Sequence, residues 1–216
     1  MKKIIIFFLS VFTIYSCKCD ADIKIGEFKL TEKSKQFIPY SGDEILIFED
    51  NLGMEHILKS IQGKELRKSR LSIRTPCSNT VLDYQEVYYD TQNEQIVFYE
   101  NEKQAFNLTL TTSFEDNENG DSIAIYDNLI VDGVINGNFV GQIKIITEER
   151  QNYVSPFHRN EFFKQSEFIG DTILFSREFK NVYKESFDIN QGVYYNKEKG
   201  VIAYEFSEDE FWVLKN

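Results

Sequence analysis

Leu129-Ile130-Val131-Asp132-Gly133-Val134-Ile135-Asn136-Gly137-Asn138-Phe139-Val140-Gly141-Gln142-Ile143-Lys144-Ile145-Ile146 holds two β-branched, apolar runs on either side of an Asn-Gly pair. Val and Ile are stiff at χ1 and suit a pleated surface better than a helix. Asn and Gly tolerate the positive φ angles that a two-residue hairpin turn requires. Leu129–Ile135 and Phe139–Ile146 are therefore expected as antiparallel neighbours, apolar enough to be central strands.

The same alternation of apolar run and turn extends in both directions. Upstream, Val81–Tyr89, Gln95–Tyr99, Phe106–Phe114 and Ile123–Tyr126 read as strands, with the pair Asn119-Gly120 marking a second hairpin. Downstream, Thr172–Phe179, Val182–Phe187, Val193–Tyr195, Val201–Phe206 and Phe211–Leu214 continue the pattern. Nearer the start, Thr31 caps one expected helical turn over residues 31–36, and Ile45–Phe48 is a buried-strand run. Asp50-Asn51-Leu52-Gly53 is a turn by composition. Met54–Ile61 fits a helical face through Met54, Ile57, Leu58 and Ile61, but the hairpin context favours a strand. Leu66–Ile73 reads as a separate, exposed strand. Residues 148–168 break the rhythm and are expected as a long loop that packs, functions or separates two subdomains. Val87–Asp90 with Ile96–Tyr99 echoes Val193–Asn196 with Val201–Tyr204, as if two similar hairpins recurred.

The chain has 15% aromatic residues and three prolines. Its four alanines, Ala21, Ala105, Ala124 and Ala203, are too few for a helical protein. The expected fold is all-β: an antiparallel meander forming a curved sheet, open barrel or sandwich, with at most one or two short helical turns. Trp212 near the end is expected to plug the core.

The first residues carry a different message. Lys2 and Lys3 precede an apolar run, Ile4–Tyr15, of about 12 residues, short of the roughly 20 that a spanning helix needs. Charged end, apolar run and small closing residue make a cleaved secretion signal. Ile14-Tyr15-Ser16-Cys17 resembles a lipobox, the recognition site of the bacterial lipoprotein signal peptidase. That resemblance implies cleavage after residue 16 and acyl chains on Cys17, and hence attachment to a membrane. Residues 1–16 are then signal peptide, 17–30 a lipidated N-terminus and tether, and 31–216 a single β-rich domain. Lys18-Cys19-Asp20-Ala21-Asp22 looks like the short signals that send some lipoproteins to the outer surface, so outer membrane is expected over inner. Cys19 and Cys77 are candidates for a disulfide in that oxidising compartment.

Phe37-Ile38-Pro39-Tyr40-Ser41-Gly42-Asp43-Glu44-Ile45-Leu46-Ile47-Phe48, followed by Gly53, is similar to the opening of small β-rich lipoproteins of Gram-negative bacteria. Val193-Tyr194-Tyr195-Asn196, Gly200–Tyr204 and Phe211–Leu214 resemble their closing hairpins. The resemblance supports fold and location and implies no activity.

The formal charge is −11, and loss of Lys2 and Lys3 takes it to about −13. An acidic surface repels phosphate backbones, so nucleic acid is not an expected partner. No cysteine pair has zinc-ligand spacing, and no metal or cofactor is expected. His56 and His158 are the two histidines. Either one beside Cys77 would make a nucleophile–base pair, and a carboxylate cluster around a histidine would serve acid–base work. Glu115–Asp121 partly matches a calcium loop but lacks the closing Glu and reads better as a hairpin tip. Asp121-Ser122-Ile123 and Asp171-Thr172-Ile173 loosely resemble bacterial O-glycosylation sites. Tyr84, Tyr88, Tyr99, Tyr126, Tyr194, Tyr195 and Tyr204 would either line a cup for an apolar ligand or pack one face of a sheet. The expected function is a lipid-anchored, non-enzymatic binding or scaffolding module, with a protein or apolar small molecule as partner. The alternative is a β-cup carrier of a lipid or other apolar ligand, and third a hydrolase without a recognisable motif.

Overall fold

A computed structural model describes residues 21–76, 84–116, 123–135, 138–153, 165–188, 191–207 and 210–215. Twelve strands and one short helix occupy them: β1 (Ile23–Phe28), α1 (Glu32–Lys35), β2 (Ile45–Asp50), β3 (Glu55–Pro76), β4 (Tyr84–Glu100), β5 (Lys103–Asp116), β6 (Ile123–Ile135), β7 (Asn138–Tyr153), β8 (Glu167–Leu174), β9 (Arg177–Asp188), β10 (Gln191–Asn196), β11 (Gly200–Ser207) and β12 (Glu210–Leu214). The all-β, antiparallel expectation holds. The chain divides into two compact units.

Of the described residues, the smaller unit takes 21–27, 70–76 and 84–90. Here β1 pairs with β4. Lys24 forms an ion pair with Asp90, and the Arg70 guanidinium lies 3.8 Å from the centre of the Tyr88 ring.

The larger unit takes the remainder, from Phe28 to Ser69 and from Thr91 onward. Its strands follow the order β7-β6-β5-β4-β3-β2-β12-β11-β10-β9-β8. Every neighbour in that order is also a neighbour in sequence, apart from β2 and β12. Those two pair through Trp212↔Asp50, Val213↔Glu49 and Leu214↔Phe48. The hairpin of β6 and β7 pairs as expected, from Ile135↔Asn138 through Leu129↔Ile145 to Ile123↔Tyr153, but β7 ends the strand order and is not the central strand its apolar run implied.

The sheet curls so that β7 packs on β9 and β10. Two glycines of the quoted stretch make the approach possible. A Cβ on Gly133 would sit 2.7 Å from Val193 Cγ2, and one on Gly141 3.2 Å from the same atom. Glycine in a strand often marks such a close contact.

Period-two alternation fills the interior. Phe106, Leu108 and Leu110 of β5 point inward opposite Gly133, Val131 and Leu129 of β6. Aromatic rings from nearby strands and from the segment before β2 meet there. Phe98 stacks on Phe106 at 4.6 Å between centroids, Tyr40 meets Phe98 edge-on at 4.9 Å, and Phe48 lies 5.5 Å from Tyr204. Such pairs add about 0.5–1.5 kcal/mol each beyond area burial. Trp212 is buried as expected.

Thr31 caps α1: its hydroxyl accepts from Ser34 N at 3.1 Å. Further expectations need correction, among them Thr172–Phe179, which is not one strand but the end of β8 and the start of β9. Met54–Ile61 and Leu66–Ile73 are one strand, β3, and not two. Val87–Asp90 and Ile96–Tyr99 likewise lie on one strand, β4, so the apparent repeat of hairpins does not exist. The polar run between them reads as a turn but finds partners in the sheet. Glu94 meets Lys64 at 2.9 Å, and Asn93 accepts from Thr111 at 2.8 Å. Finally, β7 continues to Tyr153 and β8 begins at Glu167, so both ends of the expected loop over 148–168 are strand. Thr31 donates to Glu148, and Arg150 donates to Asp127 at 3.4 Å, which accounts for polar side chains inside a strand.

Candidate functional site

Hairpin geometry alone places Asp50 and His56 on one face of the sheet. In β2–β3, Phe48 is opposite His56 and Glu49 opposite Glu55, so Asp50 and His56 are diagonal neighbours on Phe48's side. Asp50 also organises the turn between the strands. Its Oδ1 accepts from Leu52 N at 2.9 Å and Met54 N at 2.8 Å. Burial opposes charge on this carboxyl, but the Met54 and Leu52 N–H groups and His56 outweigh it and hold its pKa below the usual aspartate range.

His56 is bracketed by acids. Nδ1 lies 2.8 Å from Glu100 Oε1 and Nε2 3.3 Å from Asp50 Oδ2. A carboxylate oxygen only accepts, so each contact needs a hydrogen on the ring nitrogen. A neutral imidazole has one such hydrogen and the imidazolium two. One face of the ring is covered by Trp212, stacked at 3.6 Å and 17°. This cluster joins β2, β3, β4 and β12. With both nitrogens engaged and one face covered, it is built as a clasp, and a base that must reach a substrate would need a free nitrogen.

A second polar cluster lies in the interior. Asp127 has no exposed surface, and its oxygens accept from Thr112 Oγ1 at 2.8 Å and Ser34 Oγ at 2.9 Å. Arg150 completes the ring: it also donates to Lys29 O at 3.1 Å. A buried charge is tolerated only when paired and hydrogen-bonded in this way. The network fastens α1 to β6 and β7.

On the outer face of β3 and β4 lies a cleft of about 330 Å³. Ile57, Lys59 and Ile61 line it from β3, Tyr99 from β4, and Asn101 and Glu102 from the β4–β5 turn. Strand periodicity explains the split: Leu58 points in and is fully buried, whereas Ile57 and Ile61 point out, 46% and 65% exposed.

The tyrosines do not share one cup. Tyr195 and Tyr204 are core residues, and burial pushes both phenols well up. The Tyr195 hydroxyl donates to Phe37 O, while that of Tyr204 has no hydrogen-bond partner among the described residues. Tyr194 donates to Glu205 at 3.0 Å, an oxygen that also accepts from Lys184 at 3.1 Å. Tyr99 lines the outer cleft and Tyr88 belongs to the smaller unit. Tyr126 is half-buried, and the side chain of Tyr84 lies outside the described residues.

Cys17, Cys19, Cys77 and His158 lie outside the described residues, as do most of the calcium-like segment and Ser122. Asp171 accepts from Asn181 N at 3.1 Å, and Thr172 is paired with Phe179. Among the described residues, no group of three or more His, Cys, Asp and Glu side chains is placed to hold a metal ion, and no helix is long and apolar enough to cross a membrane. Sequence reasoning missed the His56 clasp, the Asp127 network and the outer cleft. The recognised turn at 50–53 and period two were enough to join Asp50 to His56, but Glu100 and Trp212 gave no local signal. No protein-family model, curated protein or solved structure matches this chain.

Proposed function

We propose that this chain is a lipid-anchored envelope protein whose β-rich body is a non-enzymatic binding or scaffolding module. The leader over residues 1–16 and the lipobox-like Ile14–Cys17 support the anchor. Acyl chains on Cys17 would hold it in a membrane with an affinity set by the number of buried methylenes, and the outer membrane is the proposed site. The observation that carries the binding reading is the interior of the larger unit. Phe48, Phe98, Phe106, Tyr40, Tyr204 and Trp212 occupy the volume that an internal ligand would need, so recognition falls to outer surfaces.

A hydrolase is the second reading, and the placement of His56 between Asp50 and Glu100 is what favours it. Its committed nitrogens weigh against it.

Replacing Cys17 with Ser tests the anchor. The wild-type protein should fractionate with membranes and yield an acylated N-terminal peptide by mass spectrometry. The C17S protein should retain its leader and carry no acyl chain. A wild-type protein found unacylated, with residues 1–16 still attached, refutes the proposal.

A further inference from the structure

We propose that the cleft on the outer face of β3 and β4 binds a small apolar zwitterion: a hydrophobic amino acid or a di- or tripeptide with free ends. This names a ligand class for the binding module proposed above and rests on that reading.

The cleft is lined by apolar side chains and by two opposite charges carried on different elements. Ile57 and Ile61 flank Lys59 along one face of β3, Tyr99 comes from β4, and Glu102 stands on the β4–β5 turn. Its volume, about 330 Å³, lies at the small end of the range for small-molecule sites. The apolar surface does not stop at the cleft. Ile47 is paired with Ile57, and Ile45, itself 54% exposed, with Lys59. Exposed apolar residues gathered in one place mark binding surfaces more often than scattered ones do.

The charges are what select the ligand. Neither Lys59 nor Glu102 has an ion-pair or hydrogen-bond partner among the described residues, and the two do not reach each other. Other cations of this region are already spoken for, as Lys64 is by Glu94 and Lys215 by Glu55. A carboxylate placed at Lys59 and an ammonium at Glu102 would each gain a charge-assisted hydrogen bond, and the side chain between them would cover the isoleucines. The turn holds Glu102 where a glycine would ordinarily sit: Asn101 has φ 47° and Glu102 φ 68°. A glutamate in left-handed backbone is an uncommon choice for a plain hairpin turn.

The probe is the dipeptide Leu-Leu, titrated by calorimetry into the full chain purified in an uncharged sugar detergent from whichever cell fraction carries it. Saturable one-to-one binding is expected. Lys59→Gln and Glu102→Gln should each weaken it about tenfold, the loss of one charge-assisted bond. Both residues are exposed, so neither change threatens the fold. N-acetyl-Leu-Leu-amide, which carries the same side chains without charges, should not bind. Three results overturn the proposal: no heat of binding at millimolar Leu-Leu, equal binding of the capped peptide, or unchanged affinity in both variants. Membrane anchoring is read by fractionation and this site by calorimetry, so either can fail while the other stands.

Discussion

Two glycines with the same φ allow a controlled test of the packing around Tyr40. Gly53 and Gly200 both have φ +81°. A Cβ at Gly53 meets nothing within 4 Å, whereas one at Gly200 would lie 2.0 Å from the Tyr40 hydroxyl and 2.2 Å from Cζ. That hydroxyl donates to Lys199 O and accepts from Val201 N, both at 2.9 Å, and so fastens residue 40 to the β10–β11 turn. Gly53→Ala pays only the left-handed backbone penalty of about 1 kcal/mol. Gly200→Ala adds overpacking of about 2 kcal/mol and a disturbed hydrogen-bond pair of about 1 kcal/mol. The totals are then about 1 and about 4 kcal/mol. At this chain length each kcal/mol moves Tm by roughly 2–4 °C. Thermal unfolding followed by circular dichroism should show a loss of about 3 °C for G53A and about 12 °C for G200A. Equal losses in the two variants would refute the placement of Tyr40 against residue 200.

Other perturbations separate partnered from unpartnered groups. Tyr204→Phe removes a buried hydroxyl without a partner and should raise stability by about 1 kcal/mol or more, whereas Tyr195→Phe loses its bond to Phe37 and should lower it by about 1 kcal/mol; denaturant midpoints distinguish the two. Asp127→Ala strands the Ser34 and Thr112 hydroxyls and Arg150, and should cost about 3 kcal/mol or more while exposing Lys33 and Lys35 of α1 to trypsin. The pH dependence has a definite sign. Asp50 is depressed as described, and Glu44 is too, because the Ser41 and Gly42 N–H groups outweigh its partial burial. A folded-state pKa below the unfolded one gives stability that is fully present above the unfolded value and is lost as pH falls through the folded value. Tm should therefore fall between pH 5 and pH 2, and fall less in Asp50→Asn with Glu44→Gln; an unchanged slope in that double variant contradicts the assignment. Trp212 is the single tryptophan, so His56→Ala should alter the intrinsic fluorescence; an emission spectrum identical to wild type would be inconsistent with the stacked pair.

Local chemistry was sufficient for much of the fold. The Asn136-Gly137 pair, the apolar runs beside it and the Thr31 cap are all short-range signals, and β6, β7 and α1 formed where those signals stood. Errors arose where polar residues lay inside strands. Asn93, Glu94, Glu148 and Arg150 resemble turn or loop residues in sequence because Thr111, Lys64, Thr31 and Asp127, which they meet in the fold, lie far from them along the chain. Thr31 for Glu148 and Thr111 for Asn93 supply the hydrogen bonds that water would supply in a loop.

The candidate sites divide in the same way. Asp50 with His56, and Ile57 with Lys59 and Ile61, follow from a recognised turn and period two. Glu100, Trp212, Tyr99 and Glu102 joined them only through the strand order.

By itself, the sequence determined the all-β class, the antiparallel pairing of β6 with β7 and the Thr31 cap, because propensity, alternation and turn chemistry act over a few residues. Tertiary structure alone decided that β2 pairs with β12, that β7 lies on β10 through Gly133 and Gly141, and that Trp212 covers His56. Closing a curved sheet is a global event: which distant edges meet depends on the summed twist and length of every strand between them, and no short window of residues encodes that sum.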